Sequence, residues 1–183
     1  MGNLDGTKVV IVIPHDQFRD EEYIETRKAL EEAGATVAVA SSHSSTAIGR
    51  FGTKVEPDLT ISHIKIDDYK AIIFIGGPGV EEYFDDTEII SMVRASFQKK
   101  ILLAAICSAP VIFANAGIIV GKRVTGFETQ RELLETSGGY YTEKGVVLDG
   151  ELITAYGPED SKNFGKAIAK ALMWRKDRKG YLV

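Results

Sequence analysis

Three stretches of the chain, residues 8–14 (KVVIVIP), 71–77 (AIIFIGG) and 101–107 (ILLAAIC), carry apolar residues at consecutive positions instead of alternate ones. A strand with one wet face alternates, so continuous apolar runs predict parallel strands covered by helices on both faces. Between the runs the period changes. Residues 20–34 (DEEYIETRKALEEAG) open on acids and close on glycine, the start and stop signals of a helix. Within that helix Glu21, Glu25, Lys28 and Glu32 fall on one face, and Glu22, Thr26, Ala29, Leu30 and Ala33 fall on the other. The spacing therefore aims the carboxylate of Glu22 inward.

The same patterns extend along the chain. Residues 36–42 (TVAVASS) predict a strand, and residues 87–100 (TEIISMVRASFQKK) a helix that ends in two lysines. A short helix is predicted over residues 108–116, with Pro110 in its first turn and Gly117 at its end. Residues 49–60 (GRFGTKVEPDLT) predict a small hairpin or arm. Residues 145–155 (GVVLDGELITA) predict a second hairpin, whose Asp149-Gly150 suits a type I′ turn. A last helix is predicted over residues 160–178. With no internal repeat and no linker, residues 1–183 read as one α/β domain. It is a doubly wound, mostly parallel sheet with helices on both faces and a small appended hairpin. Ligands of such sheets bind beyond the carboxyl ends of the strands, near the topological switch point.

Composition narrows the function. A chain of 183 residues, 44% hydrophobic, buries roughly 70% of the surface it exposes when unfolded and needs no disulfide or metal staple. The formal net charge of −4 argues against a nucleic-acid partner, which requires a basic stripe. The one basic cluster, WRKDRKG at residues 174–180, complements the last turn of a helix. No apolar run approaches the roughly 18 residues of a membrane span, and the N-terminus lacks a signal pattern. A single cysteine forms no internal disulfide and suits a reducing cytoplasm.

The switch-point rule selects the loops that contain PHDQFRD, GGPGVEEYF and CSAP. Cys107 sits where a strand turns into a helix. There it is either a small buried hydrophobe or a thiol presented for chemistry, with helix N-terminal amides lowering its pKa. Glu22 lies in the first turn of a helix that opens at the same sheet edge. A thiol and a carboxylate in contact cannot cheaply both ionise, so the two would share a proton. The N–H groups of Gly77 and Ser108 could form an oxyanion hole beside them, and Gly76 lets the chain pass close. The GGPG run lacks the G-x-G-x-x-G spacing of a dinucleotide site, so no cofactor is expected. The three histidines, His15, His43 and His63, show no metal-ligand spacing, and none neighbours Cys107 in sequence. His15, on the first of these loops, is a candidate for lining the site.

AAICSAP after an apolar strand, IGGPG ending the strand before it, the inward glutamate in RDEEYIE, and GRFGTKVEPDLT together resemble the ThiJ/PfpI family. GKRVTGF, VVLDGELITAYGP and FGKAIAKAL extend the resemblance over nearly the whole chain. It implies a flavodoxin-like sandwich, a nucleophilic Cys107, a proton-sharing Glu22 and oxyanion amides at Gly77 and Ser108. It also implies a homodimer or larger homo-oligomer acting on a small-molecule substrate, with Arg50 of the arm as a candidate contribution from the partner. Peptidase-like members carry a histidine directly after the cysteine, where this chain has Ser108. The more distant histidine of deglycase-like members corresponds to Phe127. The resemblance therefore implies an enzyme acting on small reactive carbonyls, glyoxalase- or deglycase-like. A redox-sensing or chaperone-like stress protein that works through Cys107 oxidation is the alternative, and a cysteine peptidase or other hydrolase or hydratase a third.

Overall fold

The continuous apolar runs become the centre of a sheet. The computed structural model describes residues 4–143 and 145–180. Its strands are β1 (Lys8–Val12), β2 (Asp16–Phe18), β3 (Thr36–Ser41), β4 (Ala47–Gly49), β5 (Lys54–Val55) and β6 (Leu59–Thr60). They continue with β7 (Ala71–Phe74), β8 (Leu102–Ile106), β9 (Arg123–Val124), β10 (Tyr140–Tyr141), β11 (Val146–Asp149) and β12 (Leu152–Ala155). The α-helices are α1 (Asp20–Glu32), α2 (Thr87–Gln98), α3 (Pro110–Asn115), α4 (Arg131–Thr136) and α5 (Ser161–Gly180).

Seven strands form the main sheet in the order β11-β12-β8-β7-β1-β3-β6, and every pairing except β11 with β12 is parallel. The chain runs from β1 to β3 and β6 on one side and then crosses to β7 and β8 on the other. The switch point therefore lies between β1 and β7. Val12 pairs with Phe74, and Phe74 with Ala105, so the three central strands end level with one another. Their following loops meet at one edge.

Side chains leave the sheet alternately. Ile11, Ile73, Ala104 and Ile106 pack on one face with Leu30 of α1 and Phe164, Ile168 and Leu172 of α5. Val10, Val12, Phe74 and Ala105 pack on the other with Ile89 and Val93 of α2 and Ile112 and Phe113 of α3. Both faces are covered, as the unbroken apolar runs require. On α1, Glu22, Thr26 and Leu30 are buried while Glu21, Lys28 and Glu32 are exposed, which matches the helical spacing.

The two predicted hairpins have different fates. Residues 145–155 extend the sheet itself, with β12 beside β8 and β11 as the antiparallel edge. Its turn differs by one residue from the expected type I′. Asp149 still pairs with Leu152, so Gly150 and Glu151 are the central residues, and of these Gly150 alone has a positive φ, +62°. Glycine first and a negative φ second is the signature of a type II′ turn. The arm is the true appendage: β4 and β5 pair antiparallel, and β4 also pairs with β2. The carboxylate of Asp20, at the start of α1, ties the arm down by accepting the N–H groups of Phe51 and Thr53, each at 2.9 Å. Among the described residues no helix is long and apolar enough to cross a membrane.

Candidate active site

Cys107 lies between the end of β8 and the start of α3 with φ +64°. An L-residue in this left-handed region costs about 1–2 kcal/mol, so its neighbours must hold it. Two hydrogen bonds do so. The Cys107 N–H donates to the carbonyl of Ala155 at 3.0 Å, and its own carbonyl accepts the N–H of Phe127 at 2.8 Å. The elbow is thus pinned by the end of β12 on one side and by the segment after β9 on the other. The residue is almost covered, at 9% exposure.

Gly76 sits between this elbow and α1. Its N–H donates to Glu22 Oε2 at 2.8 Å. A Cβ at residue 76 would lie 2.8 Å from Cys107 Cβ and 2.9 Å from Glu22 Oε2, so only glycine lets the two side chains close on the loop. Glu22 is fully buried, and its Oε1 has no partner at hydrogen-bond geometry. The thiol and the carboxyl nevertheless act on each other's proton affinity. Burial raises the Glu22 carboxyl to about 8, against smaller lowering effects of the Gly76 N–H, the thiol and the Arg19 cation. The Cys107 thiol is pushed up to about 12, first by burial and then by the charge of Glu22. The expected lowering by the start of α3 is present, through Ser108, but burial and Glu22 outweigh it. Two charges cannot stand there together, so the pair keeps at least one proton through the neutral range.

Gly77 follows with φ +104°, a conformation open to glycine, and its carbonyl accepts the N–H of Val80. A Cβ at residue 77 would fall 2.4 Å from the carbonyl oxygen of Gln17, so the loop packs directly on β2. Among the described residues neither the Gly77 nor the Ser108 N–H donates to another backbone carbonyl. The Ser108 hydroxyl lies 3.9 Å from the thiol sulfur.

The other candidates divide. Phe127 touches the elbow through its backbone, and its half-exposed ring lies 6.0 Å from the ring of Tyr156. His15 is engaged elsewhere: its ring meets Asp16 at 3.3 Å, Ser45 at 3.0 Å and the His43 ring at 4.9 Å between centroids. None of its hydrogen bonds reaches Cys107 or Glu22. Arg50 is bound within the arm, its N–H on the Phe18 carbonyl and its guanidinium 5.8 Å from the Phe51 ring.

Two residues escaped the sequence reading. Arg19 immediately precedes α1, and its charge is felt by Glu22. Tyr156 follows β12, and its hydroxyl is raised chiefly by burial, with Cys107 among the lesser causes. Tyr156 also lines a cleft of about 350 Å³ with Glu128, Tyr141, Glu143 and Asp160, although neither Cys107 nor Glu22 lines it. An arginine at a sheet edge and a tyrosine one residue past a strand were the available signals. Among the described residues no three His, Cys, Asp or Glu side chains gather as metal ligands.

Comparison with known proteins adds a common frame. The DJ-1/PfpI family model matches residues 7–171. An uncharacterized protein of Methanocaldococcus jannaschii is 37% identical over 173 residues, 93% of this chain and 84% of the relative. One from Staphylococcus aureus is 31% identical over 169 residues, covering 91% of this chain and 99% of its own. Among solved structures, a ThiJ/PfpI domain protein from Brachyspira murdochii superposes with a TM-score of 0.88 at 30% identity, covering 90% of this chain and 95% of its own. Drosophila melanogaster DJ-1beta does so with a TM-score of 0.83 at 25% identity, covering 100% and 99%.

Proposed function

The chain belongs to the DJ-1/PfpI family, and from that premise we propose that it is a cysteine-dependent enzyme acting on small reactive carbonyls in the manner of a glyoxalase or deglycase. One observation carries the reading. A fully buried carboxyl with a free oxygen, Glu22, is held against the same glycine as a thiol on a strained elbow. Such a carboxyl is a proton carrier whose affinity lies near neutral pH, where general acid and base work is most effective.

With methylglyoxal the steps balance as follows. Cys107 Sγ bonds to the aldehyde carbon while its proton passes to ionised Glu22, and the Gly77 and Ser108 N–H groups hold the oxyanion. Glu22 returns that proton to the oxygen, which gives a hemithioacetal. The carboxylate then takes the hydrogen from the former aldehyde carbon as a proton and delivers it to the adjacent carbon, while the hydroxyl proton passes to the adjacent oxygen, which leaves a thioester beside a new hydroxyl. One carbon is oxidised and its neighbour reduced, so no external redox partner is needed. Water cleaves the resulting thioester, releasing lactate and the thiol.

The test compares lactate formation from methylglyoxal by the unaltered protein, Cys107→Ser and Glu22→Gln. Turnover by the unaltered protein alone supports the reading, and a rate equal to that of Cys107→Ser ends it. The absence, among the described residues, of a histidine bonded to Cys107 favours one second reading, a redox sensor. In that case two peroxide molecules each transfer one oxygen to Cys107 and leave as water, and Glu22 binds the sulfinic group. Mass spectrometry after limited peroxide should then show two added oxygens on Cys107, and their absence removes this alternative.

A further inference from the structure

Arg19 is a cation at the edge of the site for which the carbonyl chemistry has no use. Its N–H donates to the Gly76 carbonyl at 3.0 Å, which ties it to the glycine pressed between Cys107 and Glu22. The Glu21 carboxylate takes Nε at 2.8 Å and Nη2 at 3.3 Å. The guanidinium carbon stands 4.9 Å from the centroid of the Phe51 ring. One edge and one face of the guanidinium are thereby fixed, while Nη1 has no acceptor among the described residues. A guanidinium carries five donors in a rigid fork, and an open edge of it matches a carboxylate. The charges of both Glu22 and Cys107 act on Arg19. A charge on a molecule bound at the thiol would be felt in the same way.

We propose that Arg19 makes the Cys107 site select electrophiles that carry a carboxylate next to the carbon under attack, the 2-oxo acid class among carbonyl compounds. The inference rests on Cys107 being the nucleophile.

Iodoacetate and iodoacetamide test this, because they are nearly equal in size and differ in charge. With either reagent Sγ bonds to the methylene carbon, the carbon–iodine bond breaks, and iodide leaves with the electron pair. The thiol proton passes to Glu22 or to water. Cys107 is the only cysteine, so the mass gained reports on it alone. The ratio of the two rate constants, iodoacetate over iodoacetamide, cancels any change in thiol ionisation. Arg19→Met is expected to lower that ratio about tenfold, the equivalent of about 1.4 kcal/mol. Glu21→Gln, which removes the carboxylate that competes for the guanidinium, is expected to raise the ratio. Glyoxylate, by adding reversibly to the thiol, is expected to slow iodoacetamide in the unaltered protein more than in Arg19→Met. A ratio that neither variant changes overturns the proposal and leaves the nucleophile reading intact. Failure of both reagents to alkylate the folded protein overturns the two together.

Discussion

Replacing Glu22 by glutamine should change how the stability of the protein depends on pH. In the folded protein burial raises the Glu22 carboxyl from 4.5 to about 8. The folded state therefore binds a proton that the unfolded chain has already released. A raised folded-state affinity gives a contribution that is fully present below 4.5 and is lost as pH rises through about 8. Each tenfold change in proton affinity is worth about 1.36 kcal/mol, so the upper bound is about 5 kcal/mol. Sharing of the proton with Cys107 reduces it, and about 2–4 kcal/mol is expected between pH near 5 and pH near 9. Glutamine keeps the acceptor for the Gly76 N–H and has no such titration. Unfolding by urea at a series of pH values would measure the difference in stability between the two proteins, in which the titrating groups other than the coupled Cys107 cancel. The variant should gain on the unaltered protein steadily from mildly acidic to alkaline pH. A difference that stays flat across that range would refute burial as the cause of the carboxyl's raised affinity.

Two further outcomes follow from the elbow and its neighbours. Gly76→Ala places a Cβ 2.8 Å from Cys107 Cβ and 2.8 Å from the Ile106 carbonyl oxygen. Such overpacking typically costs about 1–3 kcal/mol, visible as a lower thermal midpoint, and should reduce carbonyl turnover by forcing the pair apart. Phe127 has φ −57°, which proline also adopts, so Phe127→Pro removes chiefly the hydrogen bond to the Cys107 carbonyl. A loss of about 1–3 kcal/mol is expected, and Phe127→Leu, which keeps the N–H, should lose less; equal losses would show that the ring and not the N–H matters.

How far the molecule could be read from its sequence depends on which kind of force places each residue. The strands were legible over residues 9–12, 71–74 and 102–106 because burial on both faces leaves no polar position in the run. Glu22 was legible because a helix repeats every 3.6 residues, so an acid in line with Thr26 and Leu30 had to point inward. The partners of Cys107 were less so. Phe127 acts on the elbow through a backbone N–H, which leaves no mark on residue type. The arginine in FRDEE resembles an ordinary exposed cation until the fold brings Gly76 against it. The turn after β11 slipped by one residue because Asp-Gly fits type I′ locally, while pairing of Asp149 with Leu152 in the sheet decides the register. β2 and α4 are only three and six residues long, too short for a period to show.

The rate of Cys107 alkylation by iodoacetamide, followed against pH in the unaltered protein and in Glu22→Gln, tests most directly whether the two residues act as one unit. A shared proton predicts a profile with two steps in the unaltered protein, the first near neutral pH where the pair loses one proton and the second far above it. Glu22→Gln should show a single step, at lower pH than the second step of the unaltered protein, because the carboxylate charge that opposes the thiolate is gone. The same single step in both proteins would contradict the pairing of Cys107 with Glu22.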